Sequence, residues 1–445
     1  MNPLNILFSQ NRHFNIFYVL MMLSVVTLPF TQALSVPIAI LMLLNWFWEW
    51  NWKEKWMNVK DHQSTMVFIL SAAVFFLPLF GLLISSNKMH ALASVETYVW
   101  FLAAPLFLLT YPSTLLTRER TRILLVLFTI STIFTSFFIF GDAMVCCLKS
   151  GEHDFSFYHH ISAHHHPSYL SLYMSCTIFL MLYDWKLRRK QLALGIKIIY
   201  GVLIAYLYIA VISSSSKAGL LILLALCLVW VFFLAGTWKS RLVGLGVFIS
   251  VNFLFGLLLY QFHATPFLRM RAAWTDIRNY EVNSPYAYTS SGVRLTVWRC
   301  AWEVATDNHL LGTGTGDLTD DLIQNAEANG YQNLVGHHYN AHNQWLQALA
   351  STGLLGLLIV LAYCLFPIVY SIRKRDILYF TFGLLVIGNL CVESMFERKM
   401  GATFIAIMYV LLFLRIPKQT LEFNLGPSEE TSDATPAPQN PSPEV

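Results

Sequence analysis

Twelve stretches of the chain are apolar over lengths that fit a bilayer crossing. They lie near 14–32, 34–50, 64–86, 92–111, 121–145, 167–185, 193–213, 217–236, 241–260, 345–371, 377–395 and 402–416. A helix needs about 20 residues to cross a hydrocarbon core of roughly 30 Å. The pattern therefore predicts an all-α integral membrane protein of about 12 transmembrane helices. The first run follows Arg12, has no small-residue cleavage site and leads straight into the second, so it reads as a retained span.

The polar segments between the runs orient them. With the N-terminus placed in the cytoplasm, 19 of the 29 Lys and Arg fall on the inner side. Every short inner connection is basic, such as Arg118–Arg122, Lys186–Lys197 and Arg373–Arg375, and the outer ones are nearly bare. Residues 1–260 then carry nine spans, 261–344 form one large periplasmic loop, and 345–416 carry three more. The His-rich stretch Glu152–His166 and the turn Ser213–Lys217 are also outside. Residues 417–445, rich in Pro, Ser, Thr and Glu, cannot bury a core and are expected to be a disordered cytoplasmic tail.

Composition agrees with the pattern. The chain is 56% hydrophobic and 12% charged, against about 25% charged in soluble domains. No soluble core could hide so much apolar surface, so the lipid bilayer is the first expected partner. The seven cysteines have neither metal-ligand nor disulfide-framework spacing. There is no Walker sequence, dinucleotide-binding glycine motif or internal repeat, and neither a cofactor nor nucleic acid is expected.

Three polar clusters carry candidate chemistry. The segment Gly336-His337-His338-Tyr339-Asn340-Ala341-His342-Asn343-Gln344 runs directly into the apolar helix at Trp345. A histidine at such a mouth can move protons near neutrality, although His, Asn and Gln can equally cap the helix. Gly353 and Gly356 follow and would let another helix approach closely. The second cluster is Ser213-Ser214-Ser215-Ser216-Lys217. A lysine at a helix N-terminus is disfavoured by the dipole, and an anion reverses the sign; a snorkelling lysine is the bland alternative.

In the third cluster, Arg294 and Trp298 are four apart and share a helix face, with Arg299 beside them. Gly312, Gly314 and Gly316 alternate further on, in a loop that could approach a ligand or simply turn. Glu393 and Glu397 lie one turn apart at the outer end of the penultimate span, with Arg398 and Lys399 beside them. A carboxylate at membrane depth is a functional candidate, and pairing with Lys217 or a loop arginine is the structural alternative. His153, His159, His160, His164, His165 and His166 lack regular ligand spacing, and Asp317, Asp320 and Asp321 read as capping, so no metal site is assigned.

Together these residues resemble the O-antigen ligase and O-antigen polymerase superfamily of bacterial membrane glycosyltransferases, over roughly 200–400. The motif is His342-Asn343, nine residues, then Gly353-Leu354-Leu355-Gly356, preceded by a large loop. Ser216-Lys217 matches the family's helix start with Lys where Arg is commoner, and Arg294, Trp298 and Gly312–Gly316 match its loop segment. The resemblance implies a GT-C-like fold in the bacterial inner membrane. It implies metal-independent, inverting transfer of a glycan from undecaprenyl diphosphate to an acceptor hydroxyl, such as lipid A-core in lipopolysaccharide biosynthesis. His342 would be the general base, and Lys217 and Arg294 would hold the diphosphate. Arg299, His338, Asn343 and Glu393 would complete substrate binding. The His-Asn form favours a ligase over a polymerase or a protein O-glycosyltransferase. A polysaccharide transporter or flippase is the rival from another class, but such proteins typically show repeat-related halves.

Overall fold

The structure, a computed structural model, describes residues 7–150, 161–162, 165–262 and 264–416. Each of the twelve apolar runs forms a helix, and no strand occurs among the described residues. In chain order the helices are α1 (Arg12–Thr27), α2 (Ser35–Trp48), α3 (Trp52–Val59), α4 (His62–Ile84), α5 (Lys88–Thr110) and α6 (Arg118–Ser150). Next come α7 (Pro167–Arg188), α8 (Leu194–Ser213), α9 (Lys217–Leu234), α10 (Trp238–Gln261) and α11 (Thr265–Arg278). The series closes with α12 (Ser290–Asp307), α13 (Leu318–Ala328), α14 (Gln344–Lys374), α15 (Ile377–Leu390) and α16 (Lys399–Arg415).

Seven of these, α4, α5, α6, α8, α9, α10 and α14, are long and apolar enough to cross a membrane. Three others, α1, α2 and α15, are apolar but only 16, 14 and 14 residues long. The remaining two runs, α7 and α16, form the centre of the bundle. α7 buries every residue from Tyr169 to Met181, and α16 every residue from Gly401 to Phe413. At the other extreme α10 buries none of its 24 residues. A helix that is apolar all round can face protein or lipid, and these helices divide between the two.

Helix starts follow side-chain chemistry. Asp61 accepts from the backbone N–H groups of Gln63 and Ser64, Ser216 from Gly219, Thr289 from Gly292, and Asn343 from Trp345 and Leu346. Each removes orphan donors at a helix N-terminus. Pro167 opens α7, where its missing N–H costs nothing.

The 261–344 segment contains three helices and a core of its own. Val297, Cys300, Ala301 and Val304 of α12 meet Leu318 and Leu322 of α13, closed by Tyr331 and Leu334. Asp317 fixes this unit to the bundle. Its carboxylate accepts from the backbone N–H groups of Ser86 and Asn87, both at 2.6 Å, between α4 and α5. Asp317 therefore staples two parts of the chain and does not cap its own helix through its side chain.

The glycine motifs meet one another. α14 breaks at Gly353, whose φ is +68°. In the break, Thr313 N–H and Gly314 N–H donate to the carbonyls of Ala350 and Ser351, each at 2.9 Å, and Leu354 N–H donates to His309 O at 3.0 Å. A Cβ on Gly353 would lie 2.2 Å from Leu310 O, and one on Gly312 2.4 Å from the Ser351 carbonyl carbon. The alternating glycines thus let backbone approach backbone, not a ligand. At Gly353 the close neighbour is a loop strand of the chain, where the sequence pointed to a second helix.

Candidate functional site

Five helix N-termini converge on one end of the bundle, those of α7, α9, α12, α14 and α16. Each carries an effective charge of about +0.5 from its aligned peptide dipoles. Between them lie two adjoining cavities of about 390 and 490 Å³. They share a wall made by His166, Tyr339 and His342. Lys217, Arg269 and Arg294 line the first cavity; His338, Asn340, Glu393, Arg398 and Lys399 line the second. One carboxylate among so many donors leaves a cleft suited to anions.

His342 sits at the junction. Its backbone is left-handed, with φ +46°, a conformation that costs a non-glycine residue energy and persists only where the surroundings hold it. Two contacts hold it. Its N–H donates to Asn340 Oδ1 at 3.0 Å, and its carbonyl accepts from Trp298 Nε1 at 3.1 Å. The imidazole Nδ1 then lies 3.0 Å from Glu393 Oε1. An ionised carboxylate can only accept, so Nδ1 carries a proton, and in the neutral imidazole Nε2 is the nitrogen with the lone pair. That is the tautomer of a general base.

Glu393 is 5% exposed and lies beyond the end of α15, at Leu390, in the turn leading to α16. Its second oxygen accepts from Arg294 at 3.4 Å. Burial pushes its carboxyl up, but the hydrogen bond and charge of His342, followed by Arg294, hold it below the ordinary carboxylate range. The sequence-based alternative of pairing with a loop arginine is met by Arg294. The neighbouring Glu397 has the opposite fate. Burial raises it above its usual value despite a 2.6 Å hydrogen bond from Tyr98, and it plays no part in the cavity lining described here.

Lys217 follows the capping Ser216 and donates to Ser291 Oγ at 2.8 Å and Ser290 Oγ at 3.1 Å. The α9 start and the α12 start are thereby tied across the cavity. Arg294 Nε is buried and has no hydrogen-bond partner among the described residues. An anion oxygen would satisfy it.

Of the residues singled out from sequence, Lys217, Arg294, His338, His342 and Glu393 gather at the cleft. Arg299 and Asn343 do not line it. Arg299 sits five positions beyond Arg294 on α12, pairs with Glu303 at 3.1 Å and stands 5.5 Å over the Tyr331 ring. Asn343 is spent on structure, accepting at the start of α14 and donating to Cys391 O at 3.0 Å. Sequence reasoning left out Arg269, Tyr339 and His166 as site residues. His166 could be noticed, since it immediately precedes the helix-starting Pro167. In the structure burial lowers its basicity, against the pull of Glu393. Nothing in the sequence separates Arg269 from Arg271. His153, His159, His160 and His164, and the tail after Ile416, lie outside the described residues.

Fold and cleft together describe a multi-pass helical membrane protein with a cation-lined cleft and a histidine–carboxylate pair at one end of its bundle. Residues 201–361 match the family model described as O-antigen ligase, so this segment of the chain is similar to that family. The match begins in α8 and ends within α14, so it contains Lys217, Arg294 and His342, while Glu393 and His166 lie beyond it. No curated protein matches the chain.

Proposed function

We propose that the protein is an O-antigen ligase-like enzyme that moves a glycan from undecaprenyl diphosphate to a hydroxyl of an acceptor such as lipid A-core. The observation that carries this reading is the 3.0 Å His342–Glu393 contact on the wall between a cation-lined cavity and its neighbour. A base with its free nitrogen near an anion seat is what transfer from a diphosphate requires.

In the proposed reaction the carrier's diphosphate occupies the first cavity. Lys217, Arg294 and Arg269 and the starts of α7, α9 and α12 offset its charge. The acceptor enters the second cavity, and its hydroxyl donates to His342 Nε2. The oxygen attacks the anomeric carbon as its proton passes to Nε2. The bond from that carbon to the diphosphate oxygen breaks, and the diphosphate leaves with the electron pair. Attack opposite the leaving group inverts the anomeric centre. Glu393 stabilises the imidazolium that forms and fixes the ring, a positioning role in place of the substrate contact expected from sequence.

The reading includes twelve crossings, cytoplasmic termini, and the 261–344 segment and cleft on the outer face of the bacterial inner membrane. Support comes from the twelve helices at the twelve apolar runs and from the uneven distribution of basic residues. The short helices α1, α2 and α15 would cross with help from local bilayer thinning.

The test is a lipopolysaccharide gel from the native host lacking the gene, complemented with wild type or His342→Ala. Loss of the whole ladder, with polymerised glycan left on its carrier, is the expected result for both the deletion and the variant. Core bearing a single repeat would instead mean a polymerase. A normal ladder in both strains would overturn the assignment to lipopolysaccharide.

A further inference from the structure

At the opposite end of the same helices lies a cavity of about 470 Å³ that the proposed transfer does not use. It is bounded by the start of α6, the end of α7, the start of α8 and the last residue of α16. Since α7 has 22 residues, its two ends are roughly 30 Å apart, so this cavity and the cleft are separate. Its walls are Leu125, Ile130 and Ile133 of α6 with Met181 of α7 and Leu203 of α8. Arg118, Arg122 and Arg415 stand at its mouth.

We propose that this groove seats an anionic glycerophospholipid, acyl chain inside and phosphate at the arginines. Three observations carry the assignment. The distance along α6 from Arg122 to Ile133 is roughly 16 Å, which is about one leaflet of a hydrocarbon core roughly 30 Å thick. The wall is apolar and lies in the membrane-spanning part of the bundle, where a free aqueous anion gains nothing.

Charge complementarity selects the headgroup. Asp184 is engaged by Arg188 at 2.9 Å, Arg122 at 3.1 Å and Tyr200 at 2.6 Å, and Asp376 by Arg415. Two carboxylates thus face Arg118, Arg122, Arg188 and Arg415, and the surplus is positive. Arg118 and Arg122 are the exposed members. Arg415 is held 4.4 Å over the Tyr183 ring with its Nε buried and lacking a hydrogen-bond partner. Basic pockets between membrane helices bind anionic headgroups in this way.

The test is native mass spectrometry of the full chain in detergent, titrated with phosphatidylglycerol or phosphatidylcholine of matched acyl chains. Phosphatidylglycerol should be retained preferentially, and Arg118→Ala/Arg122→Ala should weaken its retention by roughly 20-fold. Ile130→Trp, at an exposed wall position, should lower retention of both lipids by filling the groove, and an unchanged melting temperature would show that each variant is folded. Equal retention of the two lipids overturns the proposal. So does undiminished retention by the folded double variant, or displacement of the lipid by inorganic phosphate alone.

Discussion

The two ends of the bundle are built from the same helices and from many of the same residue types, yet they hold charge differently. At the cleft, helix N-termini converge and Lys217, Arg269, Arg294, Arg398 and Lys399 line the cavities with one carboxylate, Glu393, which pairs with Arg294, while Lys399 pairs with Glu96 outside the lining. At the other end Asp184 and Asp376 tie down Arg122, Arg188 and Arg415. Arginines tied to carboxylates in this way chiefly hold helices together, and only a small positive surplus with Arg118 is left facing the groove. Cations that outnumber their partners around an open volume are available to something from outside. The contrast separates structural from functional charge better than residue type does.

If it is right, the largest effect belongs to the cleft. Lys217→Ala removes an ammonium whose hydrogen-bond partners among the described residues are two serine hydroxyls. Transfer in a reconstituted assay with a polyprenyl diphosphate-linked glycan should fall about 10–100-fold in kcat/KM, with the melting temperature little changed. Lys217→Arg should keep much of the activity, because the charge remains.

Glu393→Gln should come next, lowering kcat roughly tenfold with KM less affected, because it disturbs the base directly and the diphosphate seat only through its 3.4 Å contact with Arg294. The same variant has a stability signature. The folded carboxyl lies below its ordinary value of 4.5, so its contribution is complete above that value and is lost as pH falls through the lower folded one. The melting-temperature gap between wild type and Glu393→Gln should therefore be constant at neutral pH and close only below about 4.5. A gap that closes near neutrality would break the account of Glu393.

At the opposite end the signs reverse. Asp184→Asn leaves Arg188 and Arg122 without their common carboxylate and should cost about 1–2 kcal/mol of stability, measured by thermal unfolding, with transfer preserved. A variant with full stability and lost transfer would erase the distinction between the two ends. The smallest effect is Arg299→Ala. Its pair with Glu303 is exposed, so stability should change by no more than about 0.5 kcal/mol and transfer should be unaltered. Loss of transfer there would return Arg299 to the site.

Much of this was legible without coordinates. Hydrophobic run length marked all twelve helices because a lipid-facing or bundle-centre helix must be apolar throughout, whatever it packs against. His342 and Lys217 stood out because each interrupts an apolar context at a helix start, where it has no packing purpose. Arg294 and Arg299 were harder to separate. Both lie on α12 beside the motif tryptophan, and only the direction of their side chains, one to Glu393 and one to Glu303, distinguishes them. A short amide beside a histidine is equally suited to a ligand and to a helix cap, and the structure uses Asn343 as the cap.

Sequence by itself determined the apolar character and the positions of the helices and singled out His342 as a candidate, since these depend on local composition and on chemistry that few residue types offer. Tertiary structure alone decided which helices are central and which are peripheral, since α10 and α16 are similarly apolar but buried to opposite degrees. It also decided that Glu393 meets His342 across 51 positions of chain, and that the glycine motifs close on one another at the Gly353 break. A contact between distant residues leaves no periodic trace along the chain. It exists only once packing has brought the two surfaces together.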